Sequence, residues 1–320
     1  MDFKEVFVKI FDQNREIALC AAGTAVALLG LGLVYKYTCP EKKLTQVGVV
    51  TQLLVHPMKS GKAVSVETAE CLRMGLKYGE LRDRHWLVIT EDGRMVTGRQ
   101  QPRLVLVSLT CEGGQLCLSG PQMEELRVPL HQPNNAVVDC RVFSVDVQGR
   151  DCGDDVSNWL TRYLESDSTV RLVHFEPHLK AQRPSEKEPL FPKDEKVAYP
   201  DAAPIMLMSE ASVRDLNTRL DKDVTVLQFR PSIVVSDCEA FTEVIRNGNA
   251  LALVYTRIVC LFTTVDPETG TITRKEPLDT LKTYRLTDPK QKTAPILGQY
   301  YTVKKTGVLH VGEPVCKITY

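Results

Sequence analysis

The sequence predicts an α+β fold, predominantly β, built on a closed or nearly closed β-barrel and preceded by a membrane-anchoring helix. Three observations predict it. Beyond residue 46, short apolar strands recur between regularly spaced Gly and Pro turns. Helical periodicity there is confined to two short segments. Residues 17–35 form an uncharged apolar run close to the N-terminus.

The first segment, 1–16, is a charged tail. It contains Asp2, Glu5, Asp12 and Glu16, whereas a matrix transit peptide lacks acids. Residues 17–37, "IALCAAGTAVALLGLGLVYKY", are just long enough to cross a hydrocarbon core of ~30 Å at ~1.5 Å per residue. A cleavable signal peptide would have a shorter apolar core and a small-residue cleavage site. We therefore expect an uncleaved anchor. Both flanks are basic, so charge does not orient it. Residues 38–46 read as a polar linker.

The strand-rich body starts at residue 47. Val47, Val49, Thr51, Leu53 and Val55 alternate as one face of a half-buried strand. "HWLVITEDGRMVTGR" predicts two strands about Asp92-Gly93, and "RLVLVSLTCEGGQLCLSG" two more about Gly113-Gly114. "RVFSVDVQGRDCG" reads as one strand. The period then changes: Val156, Trp159, Leu160, Tyr163 and Leu164 fall at helical spacing behind an acidic cap. A long, charged, Pro-rich stretch, 176–204, predicts a lid or subdomain linker. It sets the boundary between an N-terminal β-rich region, 47–175, and a second domain, 176–320. The latter opens with the strand "IMLMS" and a helix capped by Ser209 with Val213, Leu216 and Leu220 inward. Strands follow at "RPSIVVS", "LALVYTRIVCLFTTV", "GTITR", "QYYTVKK" and "GVLHVGEPV".

Composition narrows the function. Forty Lys and Arg balance forty Asp and Glu, which excludes a general nucleic-acid binder. Hydrophobic residues make up 43%, enough for a substantial core. The ten cysteines show no CxxC and no Cys/His ladder. They read as mostly unpaired thiols in a reducing compartment, with Cys117 inward on its strand. Nucleotide-binding and hydrolase signatures (GxGxxG, a Walker loop, HExxH, GxSxG) are missing. His174 and His178 in "HFEPH" have chelate-like spacing but no third ligand nearby, and are assigned to a strand end and its loop.

Three basic elements suit an anion. In "HPMKSGKAV", Lys59-Ser60-Gly61 form a turn at a strand end, offering amides, a hydroxyl and an ammonium. "LRDRHWLV" places Arg82 and Arg84 before an apolar strand, one to snorkel and one to reach inward. "QFRPSIVV" places Arg230 where burial would require a partner such as phosphate or carboxylate. Taken singly, each also fits a structural role.

Together with "GRDCGDDVSNWL", "LMSEASVRDLN", "TTVDPETG", "RKEPLDTLKTYR" and "GQYY", these motifs in this order resemble the MOSC-domain family, on its amidoxime-reducing branch. The resemblance spans residues 47–314. It implies a MOSC-type β-barrel with an N-terminal β-rich MOSC-associated domain. It also implies a Mo-molybdopterin cofactor whose metal is bound by the cysteine before "TTVDP", here Cys260. A soft thiolate suits such a metal. By the same motifs, Lys59, Ser60 and Arg84 would hold the pterin and its phosphate. Asp201 would face the metal as a second catalytic residue. Ala202, Ala203, Arg230, Ser232 and Tyr300 would complete the cofactor contacts. The implied activity is reduction of small N-hydroxylated compounds: amidoximes, hydroxylamines and N-hydroxyguanidines. Electrons would come from NADH through cytochrome b5 reductase and cytochrome b5, docking on basic residues in 180–196. The implied location is the mitochondrial outer membrane with the body in the cytosol; another cytosol-facing membrane, peroxisomal or endoplasmic-reticular, is the alternative.

The chain departs from the family pattern in places. Ile258 and Val259 replace a Ser-Arg pair before the cysteine, and Arg257 lies one residue early. Ala202-Ala203 replace Thr-Ser, and Ser232 replaces an asparagine. The stretch between Cys238 and Cys260 is short. These departures support an alternative: a cofactor-poor, non-catalytic relative acting as a membrane-anchored binding or scaffold protein.

Overall fold

The computed structural model describes residues 43–184, 191–242, 251–286 and 294–319. The tail and anchor expectations, 1–37, lie outside the described residues. Among those described, no helix is long and apolar enough to cross a membrane. The large compact unit is Thr45–Lys317; of the terminal unit, only residues 43–44 and 318–319 are described.

Strand β1 (Lys43–Val55) starts earlier than expected, so residues 43–46 are strand rather than linker. Its alternation also changes along its length. Gly48 and Val50 are buried while Val47 and Val49 are half-buried, and beyond a register shift at Val50/Gln52 the run Leu53, Leu54, Val55 is buried. A bulge of this kind changes which face a side chain meets. Short strands β2 (Val64–Val66), β3 (Thr68–Leu72), β4 (Gly75–Tyr78) and β5 (Leu81–Arg82) lead to the buried β6 (Trp86–Thr90).

After Asp92-Gly93 the expected second strand is replaced by two isolated bridges, Ile89 to Met95 and Arg94 to Arg141. "PRLVL" is a 3-10 turn, and β7 (Ser108–Glu112) begins only after it. β8 (Gln115–Ser119) completes the expected Gly-Gly hairpin, to which β9 (Leu126–Pro129) adds. "RVFSVDVQGRD" is a hairpin rather than one strand: β10 (Val137–Val142) and β11 (Val145–Asp151) turn at Phe143, whose φ is 54°. Helix α1 (Asp154–Tyr163) carries Asp154 and Asp155 in its first turn and buries Val156, Trp159, Leu160 and Tyr163. β12 (Val170–His174) pairs with β6 and β11.

β13 (Ile205–Ser209) runs into helix α2 (Glu210–Asn217), where Ser209 Oγ accepts the Ser212 amide at 3.0 Å as expected of the cap. β14 (Ile233–Ser236) then lies parallel to β13. β15 (Leu251–Ile258) ends before Cys260, and "LFTT" is a 3-10 turn, not strand. "GTITR" makes one bridge, Val265 to Ile272. Helix α3 (Leu278–Tyr284) follows, then β16 (Ile296–Val303), β17 (Gly307–His310) and β18 (Pro314–Thr319).

The main sheet has the order β15-β16-β13-β14-β1-β18, with β2 added on β1. Three smaller sheets are β10-β11-β12-β6, β17-β3-β4-β5 and β7-β8-β9. Among the described residues no sheet closes into a barrel, in contrast to the expectation. β15 and β18 remain edges, and the chain uses 3-10 turns and single bridges where continuous strands would be needed for closure. Among the described residues Cys71, Cys111, Cys117, Cys140, Cys152, Cys260 and Cys316 are free thiols, and Cys117 is buried.

Candidate functional site

A cavity of about 330 Å³ forms where several strands end. Its wall is built from the exits of β1 (Lys59, Ser60), β5 (Arg84), β6 (Thr97, Arg99) and β10 (Phe143). The loop before β13 adds Pro200 to Ala203. Arg230 precedes β14, Cys260 and Phe262 follow β15, and Tyr300 lies in β16.

The Lys59 turn is set by main-chain bonds. Lys59 N donates to Trp86 O at 2.8 Å, and Gly61 N donates to Met58 O at 3.0 Å. Ser60 takes a left-handed φ of 66°. The Lys59 side chain is buried; Nζ donates to Tyr199 O at 2.8 Å and to Asp201 Oδ1 at 2.5 Å. Burial pushes its pKa down, Asp201 opposes this, and Arg84 and Arg230 reinforce it.

Arg84 is placed from beneath. Asp83 is buried, accepts the His56 amide at 2.7 Å and pairs with the Arg84 guanidinium. Burial pushes the Asp83 carboxyl up, opposed by Arg84 and by the His56 amide. Arg84 Nη2 donates to Arg230 O at 2.9 Å, and Arg230 Nη1 donates to Gly61 O at 2.6 Å. The two arginines and the Lys59 turn thus lock one another. Ser60, Arg84, Phe143 and Arg230 all line the cavity and all hold positive φ without being glycine. Such conformations cost ~1–3 kcal/mol each and persist only where the surroundings enforce them.

The long loop 176–204 is not a loose linker in its described parts. Gln182, buried, donates through Nε2 to Ala198 O at 2.9 Å and Pro200 O at 3.0 Å, folding the loop back on itself. Tyr199, fully buried, donates its hydroxyl to Gln148 O at 2.8 Å. That approach requires Gly149, where a Cβ would stand 2.5 Å from the Tyr199 oxygen. Asp201 is therefore delivered by a pinned segment.

Cys260 is the residue before the 3-10 turn Leu261–Thr264, and its carbonyl accepts Thr263 N at 3.0 Å and Thr263 Oγ1 at 2.9 Å. This bonding fixes the backbone that presents the thiol. Val259, just before it, is buried in an apolar cluster with Met206, Met208 and Leu297. The side chains of 251–258, Arg257 included, are not described.

All expected site residues line this cavity except Ser232. Ser232 is fully buried and tied to Met206: its amide donates to Met206 O at 2.7 Å and its hydroxyl accepts Met206 N at 3.3 Å. It splices β13 to β14 instead of facing the cavity. Thr97, Arg99, Phe143 and Phe262 are additions. Thr97 and Arg99 fall in "VTGRQQP", where Gly98 was the available signal: a Cβ there would stand 2.1 Å from the Phe262 ring. Away from the cavity, His174 stacks on Trp86 with centroids 4.4 Å apart, and His178 is exposed, 3.5 Å from Glu176.

Four cationic side chains, one carboxylate, a thiol and three aromatic rings line this cavity, a donor set able to take an anion and a soft metal. The chain belongs to the MOSC-domain family. It matches the MOSC N-terminal beta barrel domain over residues 47–167 and the MOSC domain over residues 194–316. It is 76% identical to mitochondrial amidoxime-reducing component 1 of Danio rerio, over 100% of both chains. It is 50% identical to mitochondrial amidoxime reducing component 2 of Bos taurus, covering 86% of this chain and 84% of that one. Against mitochondrial amidoxime-reducing component 1 of Homo sapiens the identity is 44%, over 95% and 94% of the two chains.

Proposed function

We propose that this chain is a molybdenum-cofactor-dependent reductase of N-hydroxylated compounds. The observation that carries the reading is the convergence of Cys260 with Lys59, Arg84 and Arg230 on one cavity. A phosphate-bearing, sulfur-liganded cofactor needs that donor set, and the residues fit it: the cations take the anion and the thiol takes the metal. When bound, the cofactor would supply the two-electron redox step.

The chain's own residues do the rest. Lys59, Arg84 and Arg230 hold the anionic group. Asp201, half-exposed at the cavity and paired with Lys59, is placed to accept and return a proton. In the overall reaction the N–O bond of an amidoxime breaks, two electrons and two protons enter, and water and an amidine leave. The electron donors would be NADH, cytochrome b5 reductase and cytochrome b5. Lys180, Arg183, Lys193 and Lys196 are exposed and suit an acidic haem protein. The names of the relatives support a mitochondrial setting, residues 17–37 support membrane anchorage, and the thiol-rich body supports a cytosol-facing side, which together fit the outer membrane.

The test is molybdenum and pterin content of the protein beside Cys260→Ser, with benzamidoxime reduction measured on both. Near-stoichiometric metal in the parent and loss of metal or activity in the variant support the reading. A folded parent that takes up no metal when cofactor is abundant favours the second reading, a non-catalytic relative. Val259 favours that alternative: it fills with buried hydrocarbon the position where the family pattern has arginine.

A further inference from the structure

Phe143 is a costly residue where it stands. It occupies the tip of the β10–β11 hairpin with φ 54°, a conformation that a bulky side chain rarely adopts. Glycine or asparagine would satisfy that turn at lower cost. The ring recovers little by burial, because the residue remains 41% exposed. Yet it lines the cavity, with Lys59 Nζ 5.2 Å and the Arg99 guanidinium 5.5 Å from its centroid. Two cations therefore hold one exposed aromatic ring in place at the cavity wall.

A ring whose task was to shield Lys59 would be covered by protein. This one keeps open surface at a cavity whose other aromatic rings, Phe262 and Tyr300, are half-buried. Phe262, on the same cavity, is held differently: it packs against Gly98 and lies 5.5 Å from the Arg230 guanidinium. Phe262 belongs to the wall, whereas Phe143 is the exposed aromatic contact. We infer that Phe143 is a specificity-determining residue that selects substrates whose N-hydroxylated carbon carries an aryl or other flat conjugated group. Lys59 and Arg99 act as positioning residues for its ring. The inference rests on the proposed reductase reading for its substrate class, and on the geometry of Phe143 for the selection.

The experiment uses the full chain, its Phe143→Gly and Phe143→Trp variants, and two neutral probes, benzamidoxime and acetamidoxime. Glycine suits the left-handed φ, so that variant is expected to fold at least as well as the parent. Two readouts are taken: the ratio of kcat/KM for the two probes, and equilibrium binding of each probe by calorimetry without electron donor. The benzamidoxime preference should fall about three- to tenfold in Phe143→Gly, the worth of one aromatic pair, mostly through KM. Phe143→Trp should retain it. A preference unchanged in Phe143→Gly overturns the inference, as does an equal loss for both probes. If the parent turns over neither probe but binds benzamidoxime better, and Phe143→Gly loses that bias, the reductase reading falls and Phe143 stands. If neither probe is bound or turned over, both fall.

Discussion

Lys59 Nζ lies 2.5 Å from Asp201 Oδ1, and the partners differ sharply in exposure: 6% for the lysine side chain and 50% for the aspartate. The lysine bears the desolvation and the aspartate keeps its water. A buried cation is stabilised by its partner but penalised by its burial, and here burial is the larger effect.

That imbalance predicts a stability effect opposite to intuition. The folded-state pKa of Lys59 lies below its ordinary value of 10.5, so the unfolded chain binds the proton more tightly. The penalty is fully present below the folded pKa and fades as pH rises toward 10.5. Lys59→Met removes the buried charge at the cost of the bonds to Tyr199 O and Asp201 Oδ1. The variant should be equal to the parent at pH 7 or about 1 kcal/mol more stable, while losing anion binding at the cavity. Thermal melts from pH 7 to 10.5 should show any difference closing. A variant clearly less stable than the parent at pH 7 would refute this account.

Gly98 is required for the space it leaves. Alanine there would place a Cβ 2.1 Å from Phe262 Cε2. Gly98→Ala should cost about 1–3 kcal/mol by overpacking and push Phe262 into the cavity. Adding Phe262→Leu should recover part of the loss. Denaturant titration of the single and double variants checks it, and strictly additive losses would show that the two positions do not collide.

Glu195 sits in the pinned loop, buried, and its Oε1 has no hydrogen-bond partner among the described residues. Burial pushes its pKa up to about 7, with Asp194 adding to the rise and Arg73 opposing it. The folded chain thus keeps a proton that the unfolded chain releases near 4.5, so this site loses stability as pH rises from 4.5 through about 7. Glu195→Gln should abolish that part of the pH dependence and exceed the parent in melting temperature above pH 7. Melts across the same range decide it; parallel curves for the two proteins would remove Glu195 as the cause.

Much of the site was legible in linear order because its residues sit in short, sharply punctuated motifs. "HPMKSG" ends a strand, stiffens it with Pro57 and turns at Gly61, and the turn forms where those residues place it. Cys260 was singled out by "TTVDPETG"; it lines the cavity but lies beyond its strand. Phe143 was missed because "RVFSVDVQGRD" carries no Gly, Pro or Asn at the turn; the chain turns on a left-handed phenylalanine, against local preference. Ser232 was misplaced because a hydroxyl near Arg230 reads the same whether it faces a ligand or splices two strands.

By itself, then, the sequence determined strands such as "IMLMS" and "IVVS", where Ser209 starts a helix, and which charged residues have turns to carry them. Those features follow from periodicity, capping and turn chemistry within about ten residues. Tertiary structure alone decided that β1 shifts register at Val50/Gln52 and that, among the described residues, the sheets stay open. It also decided that Gln182 folds the long loop back to deliver Asp201 onto Lys59, 142 residues away. Contacts of that separation depend on which surfaces meet after the sheets pair, and no local pattern encodes that meeting.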